Sequence, residues 1–217
     1  MAISPERARR LYDRIGRFQD RQSFYEDPAI DALLEAGAFE AARSLVELGC
    51  GTGRLAARLL GGHLAPDTRY LGLDVSPRMV ALARDRVAPW ADRAVVRLAD
   101  GSWPLPVADA GADRFLATYL LDLLSTTDTA AALAEAHRVL EPGGRLCVSG
   151  LTHGATPAAR VLERLWFGVW RRWPAALGGC RPVAIAGALD RNKWAVQHHQ
   201  VVTAWGLSSE VLVAVRR

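Results

Sequence analysis

The stretch Ser44-Leu-Val-Glu-Leu-Gly-Cys-Gly-Thr-Gly-Arg-Leu-Ala-Ala-Arg-Leu-Leu60 decides the fold. Ser44 to Leu48 is a short apolar run that reads as a buried strand, and Arg54 to Leu60 reads as a helix stopped at Gly61-Gly62. Between them Gly49, Gly51 and Gly53 let the chain turn tightly and bring backbone close to a ligand, because no Cβ intervenes. A dinucleotide G-x-G-x-x-G turn from Gly49 would place its third glycine at position 54, but that residue is Arg54 and the third glycine falls at Gly53. Glu47, two residues before the first glycine, would repel a pyrophosphate. It suits a ligand with a positive group, such as the ammonium of an amino acid, whose carboxylate the loop N–H groups can hold.

Outward from this unit the same alternation repeats. Arg69 to Asp74 reads as a strand, and Pro77 to Val87 as a helix with Ser76 at its cap and Pro77 in its first turn. Ala94 to Ala99 and Asp113 to Tyr119 read as strands, Thr129 to Leu140 as a helix, and Arg145 to Gly150 as a further strand after Glu141-Pro-Gly-Gly. Strands joined by helices of about ten residues imply right-handed crossovers and a parallel sheet, an α/β Rossmann-like doubly wound fold. Upstream, residues 5–42 read as helical, with a second helix starting at Pro28 and capped by Asp27. At the other end Gln197–Trp205 and Glu210–Val215, joined through Gly206-Leu-Ser-Ser, read as a hairpin, which adds an antiparallel strand.

Two further acids fall in step with Glu47. Asp74 closes the second strand about 20 residues beyond the glycine turn, where a carboxylate accepts from both hydroxyls of a ribose. Ser76 already fills the capping role there, so Asp74 is not needed as a cap. Asp100 closes the third strand before Gly101, placed to accept from an adenine amino group. Three successive strand ends along one sheet edge are far more specific than any one of them.

These segments resemble the class I S-adenosylmethionine-dependent methyltransferases, of the small kind that includes quinone-biosynthesis enzymes. The resemblance is close over roughly residues 40–150 and loose elsewhere. It implies a seven-stranded, mostly parallel sheet and S-adenosyl-L-methionine as cofactor. ELGCGTG implies Glu47, Gly49, Gly51 and Gly53 around the methionine part, with Cys50 inside the loop. LGLDVSPRMVALAR implies Asp74 on the ribose and Val75 and Met79 beside adenine. LADGSWPLP implies Asp100, Gly101 and Ser102 around the adenine amino group. ATYLLDLL implies Thr118 on the cofactor, with Tyr119 and Asp122 near the transferred methyl. His153, just past the fifth strand, is a candidate general base, with solvent exposure in a loop as its alternative. The implied reaction is methyl transfer to a small or lipophilic acceptor. The alternatives are a nicotinamide-dependent oxidoreductase, which Glu47 and the misplaced glycine oppose, and a non-catalytic module that keeps the cofactor fold.

The whole chain bounds these readings. With 217 residues it holds one domain, divided into a helical cap (1–42), a cofactor core (43–152) and an acceptor-side insertion with the hairpin (153–217). A net charge of +4 from scattered arginines, with Lys193 the one lysine, is no nucleic-acid footprint. Cys50, Cys147 and Cys180 lack metal or disulfide spacing. His198 and His199 are adjacent on a strand and point to opposite faces, so no metal is expected. The N-terminus lacks the apolar segment of a signal peptide and no run reaches membrane-spanning length, so a soluble cytoplasmic protein is expected. Segments 1–30, especially Tyr12, Phe18 and Tyr25, and 153–180 are expected to roof the acceptor pocket. Leu162, Trp166, Trp170 and Trp173 share one stripe of an expected helix at 157–173 beside several arginines. That stripe fits packing on the sheet or a second subunit, and also an interfacial helix in peripheral contact with a membrane.

Overall fold

The strands of the chain are β1 (Ser44–Leu48), β2 (Arg69–Asp74), β3 (Ala94–Leu98), β4 (Ala112–Thr118), β5 (Leu140–Leu151), β6 (Trp194–Ala204) and β7 (Leu207–Arg216). They come from a computed structural model that describes residues 9–10, 12–14, 16–154 and 180–217. All seven form one sheet in the order β3-β2-β1-β4-β5-β7-β6. The first five are mutually parallel, and β7 runs antiparallel to both of its neighbours. The described helices are α1 (Ser23–Ala36), α2 (Arg54–Gly62), α3 (Pro77–Val87) and α4 (Thr126–Val139).

Strand alternation sends neighbouring side chains to opposite faces, and both faces are covered, as a parallel sheet requires. Leu45, Leu116, Cys147 and Val213 join Ile30, Leu33, Leu59 and Val80 of α1, α2 and α3 in one core. Val46, Phe115, Leu146 and Leu212 join Leu133, Ala136 and Val139 of α4, with Ile185, in the other. The adjacent helices α2 and α3 touch at Gly53. A Cβ there would lie 2.8 Å from Ala83 Cα, and φ is +75°, so packing and backbone both require glycine.

Several boundaries differ from the sequence reading, each for a local reason. The helix expected to start at Pro28 instead runs through it from Ser23 to Ala36. Pro28 lies early in the helix, and the burial of Ala29, Ile30 and Leu33 outweighs the one backbone bond it forgoes. Asp27 is therefore no cap, and its carboxylate is free to bind Arg54 at 2.6 Å. Helix α4 starts three residues earlier than expected, because Ser125 Oγ accepts from Asp128 N (3.0 Å). Glu141-Pro-Gly-Gly is not a separate turn. It belongs to β5, where the register with β4 shifts between Ala112 and Arg114. The hairpin turns on Trp205-Gly206 alone, since both have positive φ (54° and 80°) and Leu207 already pairs with Ala204. The Trp/Arg stripe at 157–173 lies outside the described residues.

Candidate active site

The chain order reverses at β1: β2 and β3 lie to one side, β4 and β5 to the other. A crevice must open above the strand ends at such a point. A cleft does open there, walled by the glycine turn, the ends of β2 and β4, the loop after β3, and residues from the N-terminal segment and α1. Of the residues singled out from sequence, Glu47, Gly49, Cys50, Gly51, Asp74, Val75, Met79, Gly101, Ser102, Thr118 and Tyr119 line it. Gly53, Asp100, Asp122 and His153 do not.

The turn after β1 is built from backbone bonds. Gly49 N and Cys50 N both donate to Leu73 O (2.8 and 3.1 Å), which ties the turn to β2. Gly51 N donates to Asp74 Oδ2 (2.9 Å), and Ser76 N donates to the other oxygen (2.9 Å). One carboxylate thus spans the ends of two elements, and each oxygen keeps acceptor capacity for a ligand. Gly51 has φ +53°, and a Cβ there would meet nothing within 4 Å. Its half-buried backbone borders open space that a side chain would fill, which suits close ligand approach.

Glu47 is buried, and its Oε2 accepts from Tyr70 Oη at 2.5 Å. Gly72 stands between them in β2, since a Cβ there would come within 2.8 Å of Tyr70 Oη and 3.0 Å of Cys50 Sγ. The glycine makes room for the tyrosine to reach the acid. Burial pushes the Glu47 carboxyl up to about 8, against the Tyr70 bond, with the Asp74 charge adding to the rise. Asp74 is also raised, chiefly by burial. A buried and a half-buried acid lining one cleft fit a cationic ligand.

The remaining sequence candidates have other surroundings. Asp100 is exposed and accepts from Ser102 N (2.9 Å) and Ser102 Oγ (2.6 Å), which lowers its pKa and shapes the loop that carries Gly101, Ser102 and Trp103. Asp122 is fully buried behind the cleft wall. Its Oδ2 accepts from Leu151 N (3.4 Å), its Oδ1 has no partner, and burial pushes it up to about 7. Tyr119 adopts φ +49°, a strained value for a tyrosine, and its hydroxyl shares a hydrogen bond with Ser209 Oγ (2.9 Å). His153 is exposed. Of the expected roof, Tyr12 lines the cleft, Tyr25 is buried edge-on against Tyr119, and Phe18 is exposed beneath the Arg21 guanidinium instead of roofing anything. His199 Nε2 meets Glu210 (2.8 Å), and no metal-binding group of three His, Cys, Asp or Glu occurs among the described residues.

The structure adds cleft residues that sequence did not single out. Thr52 Oγ1 donates to Asp20 (2.6 Å), which Arg86 also holds (2.8 Å), and Asp13 accepts from Ser76 Oγ (2.6 Å). These bonds fix the N-terminal segment beside the glycine turn. Glu26 and Arg54 also line the cleft, paired at 3.4 Å. Arg54 was legible by adjacency to the turn, whereas nothing local marks Glu26.

The buried acids give a pH dependence with a definite sign. Glu47, Glu26 and Asp122 have folded pKa values of about 8, 7 and 7, all raised above the unfolded values mainly by burial. A raised acid contributes stability that is full below its unfolded pKa and lost as pH rises through the folded value. We expect the melting temperature of the ligand-free protein to fall between roughly pH 5.5 and 8.5, with a visibly smaller fall for Glu47→Gln. Parallel curves for the two proteins would contradict the raised Glu47.

Residues 45–144 match the family described as the methyltransferase domain. The chain is 38% identical over 131 residues to malonyl-[acyl-carrier protein] O-methyltransferase of Hahella chejuensis, a match covering 58% of this chain and 42% of that protein. Among solved structures, the [4+2]-cyclase SpnF superposes with a TM-score of 0.75 at 17% identity, over 100% of this chain and 97% of that one. That likeness establishes the fold alone, and a cyclase on the same fold leaves the reaction to be argued from the site. The chain spans 42%, 60% and 46% of the lengths of three curated relatives it matches at 33–38% identity. It covers 70% of the 2-phytyl-1,4-naphtoquinone methyltransferase of Thermosynechococcus vestitus, at 30% identity over 76% of this chain. With the acids and glycines of the cleft in the same segments, the chain belongs to the class I S-adenosylmethionine-dependent methyltransferases.

Proposed function

We propose that this chain binds S-adenosyl-L-methionine in the cleft and transfers its methyl group to a small or lipophilic acceptor. The observation that carries the reading is the pair of cleft acids, buried Glu47 and half-buried Asp74, with the glycine turn at Gly51 bonded to Asp74. Glu47 accepts the ammonium of the methionine part, and the turn of Gly49, Cys50 and Gly51 surrounds that part. Gly53 shapes the turn through its contact with Ala83. Asp74 accepts the ribose hydroxyls, Val75 and Met79 flank adenine, and Gly101 and Ser102 close over it with Asp100 holding their loop. Thr118 and Tyr119 line the cleft on the methyl side, and Asp122 and His153 act there only through other groups or a change in the surroundings described above.

The bound sulfonium supplies an electrophilic methyl whose leaving group is a neutral thioether. The protein therefore has to align the acceptor and exclude water, and it needs a base only where the acceptor arrives protonated. Leu120, Leu123, Leu124 and Tyr12 give the cleft the apolar wall that this requires. In the same reading residues 1–42 cap a core of 43–152, and 153–217 complete the acceptor side. No helix among the described residues is long and apolar enough to cross a membrane, and in this reading the protein acts in the cytoplasm. This reading includes no nucleic-acid partner. The test is calorimetric titration with S-adenosylmethionine, S-adenosylhomocysteine and NADH. We expect micromolar or tighter binding of the first two and none of the third. NADH binding, or silence for both sulfur compounds, would overturn the reading.

A further inference from the structure

Glu26 reaches the cleft from α1 and has no part in the cofactor assignments above. Its residue is 7% exposed, so its carboxylate is nearly stripped of water while still bordering the cleft. The nearest cation compensates it poorly. Arg54 places Nη1 2.6 Å from Asp27 and only Nη2, at 3.4 Å, near Glu26 Oε2. Among the described residues, its other charged or titratable neighbours are Asp27 on α1, Asp122 behind the wall, and the phenols of Tyr12, Tyr25 and Tyr119 with the thiol of Cys180, none of them a cation. Tyr12 and Tyr119 also line the cleft.

A dehydrated carboxylate with a distant counter-ion, bordered by aromatic rings, is suited to a cation. The rings attract positive charge through their faces, and the acid offers it a charge-assisted bond. Among the described residues, an anionic acceptor would face Glu26, with Asp122 behind it, and meet no cation of the cleft other than the paired Arg54. We infer that the acceptor group is an amine, which Glu26 binds beside Tyr12 and Tyr119 and from which it takes a proton. The step balances. The protonated amine gives one N–H proton to a Glu26 oxygen, and the freed lone pair forms the new N–C bond. The electrons of the broken C–S bond stay with the departing neutral thioether. The product is an N-methylammonium, and Glu26 returns its proton to water, so one proton is released per methyl transferred. A carboxyl raised to about 7 by burial is matched to receiving that proton near neutral pH.

The inference rests on the methyl-transfer reading, and the experiment separates the two. Protein saturated with S-adenosylhomocysteine is titrated with benzylamine and hexylamine, their alcohol counterparts benzyl alcohol and hexanol, and benzoate. We expect at least one amine to bind about tenfold or more tightly than its alcohol, and benzoate not to bind. Glu26→Gln should erase the preference while still binding S-adenosylhomocysteine, which shows that it is folded, and Glu26→Asp should keep part of it. Amines that bind no better than their alcohols, or a preference that survives in Glu26→Gln, would overturn the inference. Failure of the wild type to bind S-adenosylhomocysteine would instead remove the methyl-transfer reading itself.

Discussion

Replacing Asp74 with alanine is expected to weaken binding of S-adenosylmethionine and S-adenosylhomocysteine by about 100-fold or more, while the fold survives. The carboxylate does two things at once. It accepts from Gly51 N and Ser76 N, which holds the glycine turn against the start of α3. In the proposed reading its remaining lone pairs accept from two ribose hydroxyls. Hydrogen bonds to a charged acceptor contribute about 1.5–3 kcal/mol each, so losing two costs at least about 3 kcal/mol, or over 100-fold in affinity. Stability responds differently. Burial raises the Asp74 pKa, so ligand-free protein already bears a cost for ionising it, and alanine removes that cost along with the two backbone bonds. Calorimetry and thermal melting of the variant should therefore separate, with a large loss of affinity and a small shift in melting temperature. A loss below about threefold would show that the ribose lies elsewhere. Asp74→Asn, which keeps one carbonyl acceptor, should fall between the two proteins.

The parts of this cleft that were legible in the sequence depend on neighbours along the chain. The turn at 49–53 follows its strand directly, Ser76 caps the helix that begins one residue later, and Asp74 ends the strand between them. Local spacing alone places such residues on one sheet edge. Tyr70 and Gly72 lie in a strand that was read correctly, yet their service to Glu47 needs the β1–β2 register, in which Glu47 stands opposite Gly72. Glu26 was invisible for a stronger reason. It reaches Arg54 only because α1 packs on the sheet through Ala29, Ile30 and Leu33, and the sequence offers no pattern for which helix face meets which loop. The early start of α1 at Ser23 was hidden by Pro28, a residue that normally marks a boundary. Asp122 shows the reverse failure. Its segment is the one that the family resemblance marks, but the turn after β4 directs the carboxylate to Leu151 N behind the wall.

Arg138 supports the cleft without touching it, and Arg138→Ala is expected to destabilise the protein by about 2–3 kcal/mol. The residues from Ala99 to Gly111 join β3 to β4, contain no helix or strand, and carry Gly101, Ser102, Trp103 and Leu105 to the cleft. Arg138, in the last turn of α4, gathers this loop. It donates to Val107 O (2.8 Å) and Leu105 O (3.2 Å), and to both oxygens of Glu135 (2.9 and 2.8 Å). Glu135 in turn accepts from Leu105 N (2.7 Å). The further bond to Asp109 adds little, since that side chain is 81% exposed. Alanine would leave Glu135 without its counter-ion and Val107 O without a donor, while Leu105 O would keep only its bond from Val107 N (2.8 Å). Lysine should rescue little, because one ammonium does not reproduce a planar fork serving carboxylate and carbonyls together. The pH dependence gives an independent check. Arg138 holds the Glu135 carboxyl below its ordinary range, and a depressed acid contributes stability above its unfolded pKa that is lost as pH falls through the folded value. The stability gap between wild type and Arg138→Ala, measured by urea unfolding, should therefore narrow below about pH 4. A gap under about 1 kcal/mol at neutral pH, or full rescue by lysine, would mean that the loop is held by its apolar contacts alone. A gap of the expected size, accompanied by weaker cofactor binding, would show that the order of this cleft loop is set from the far end of α4.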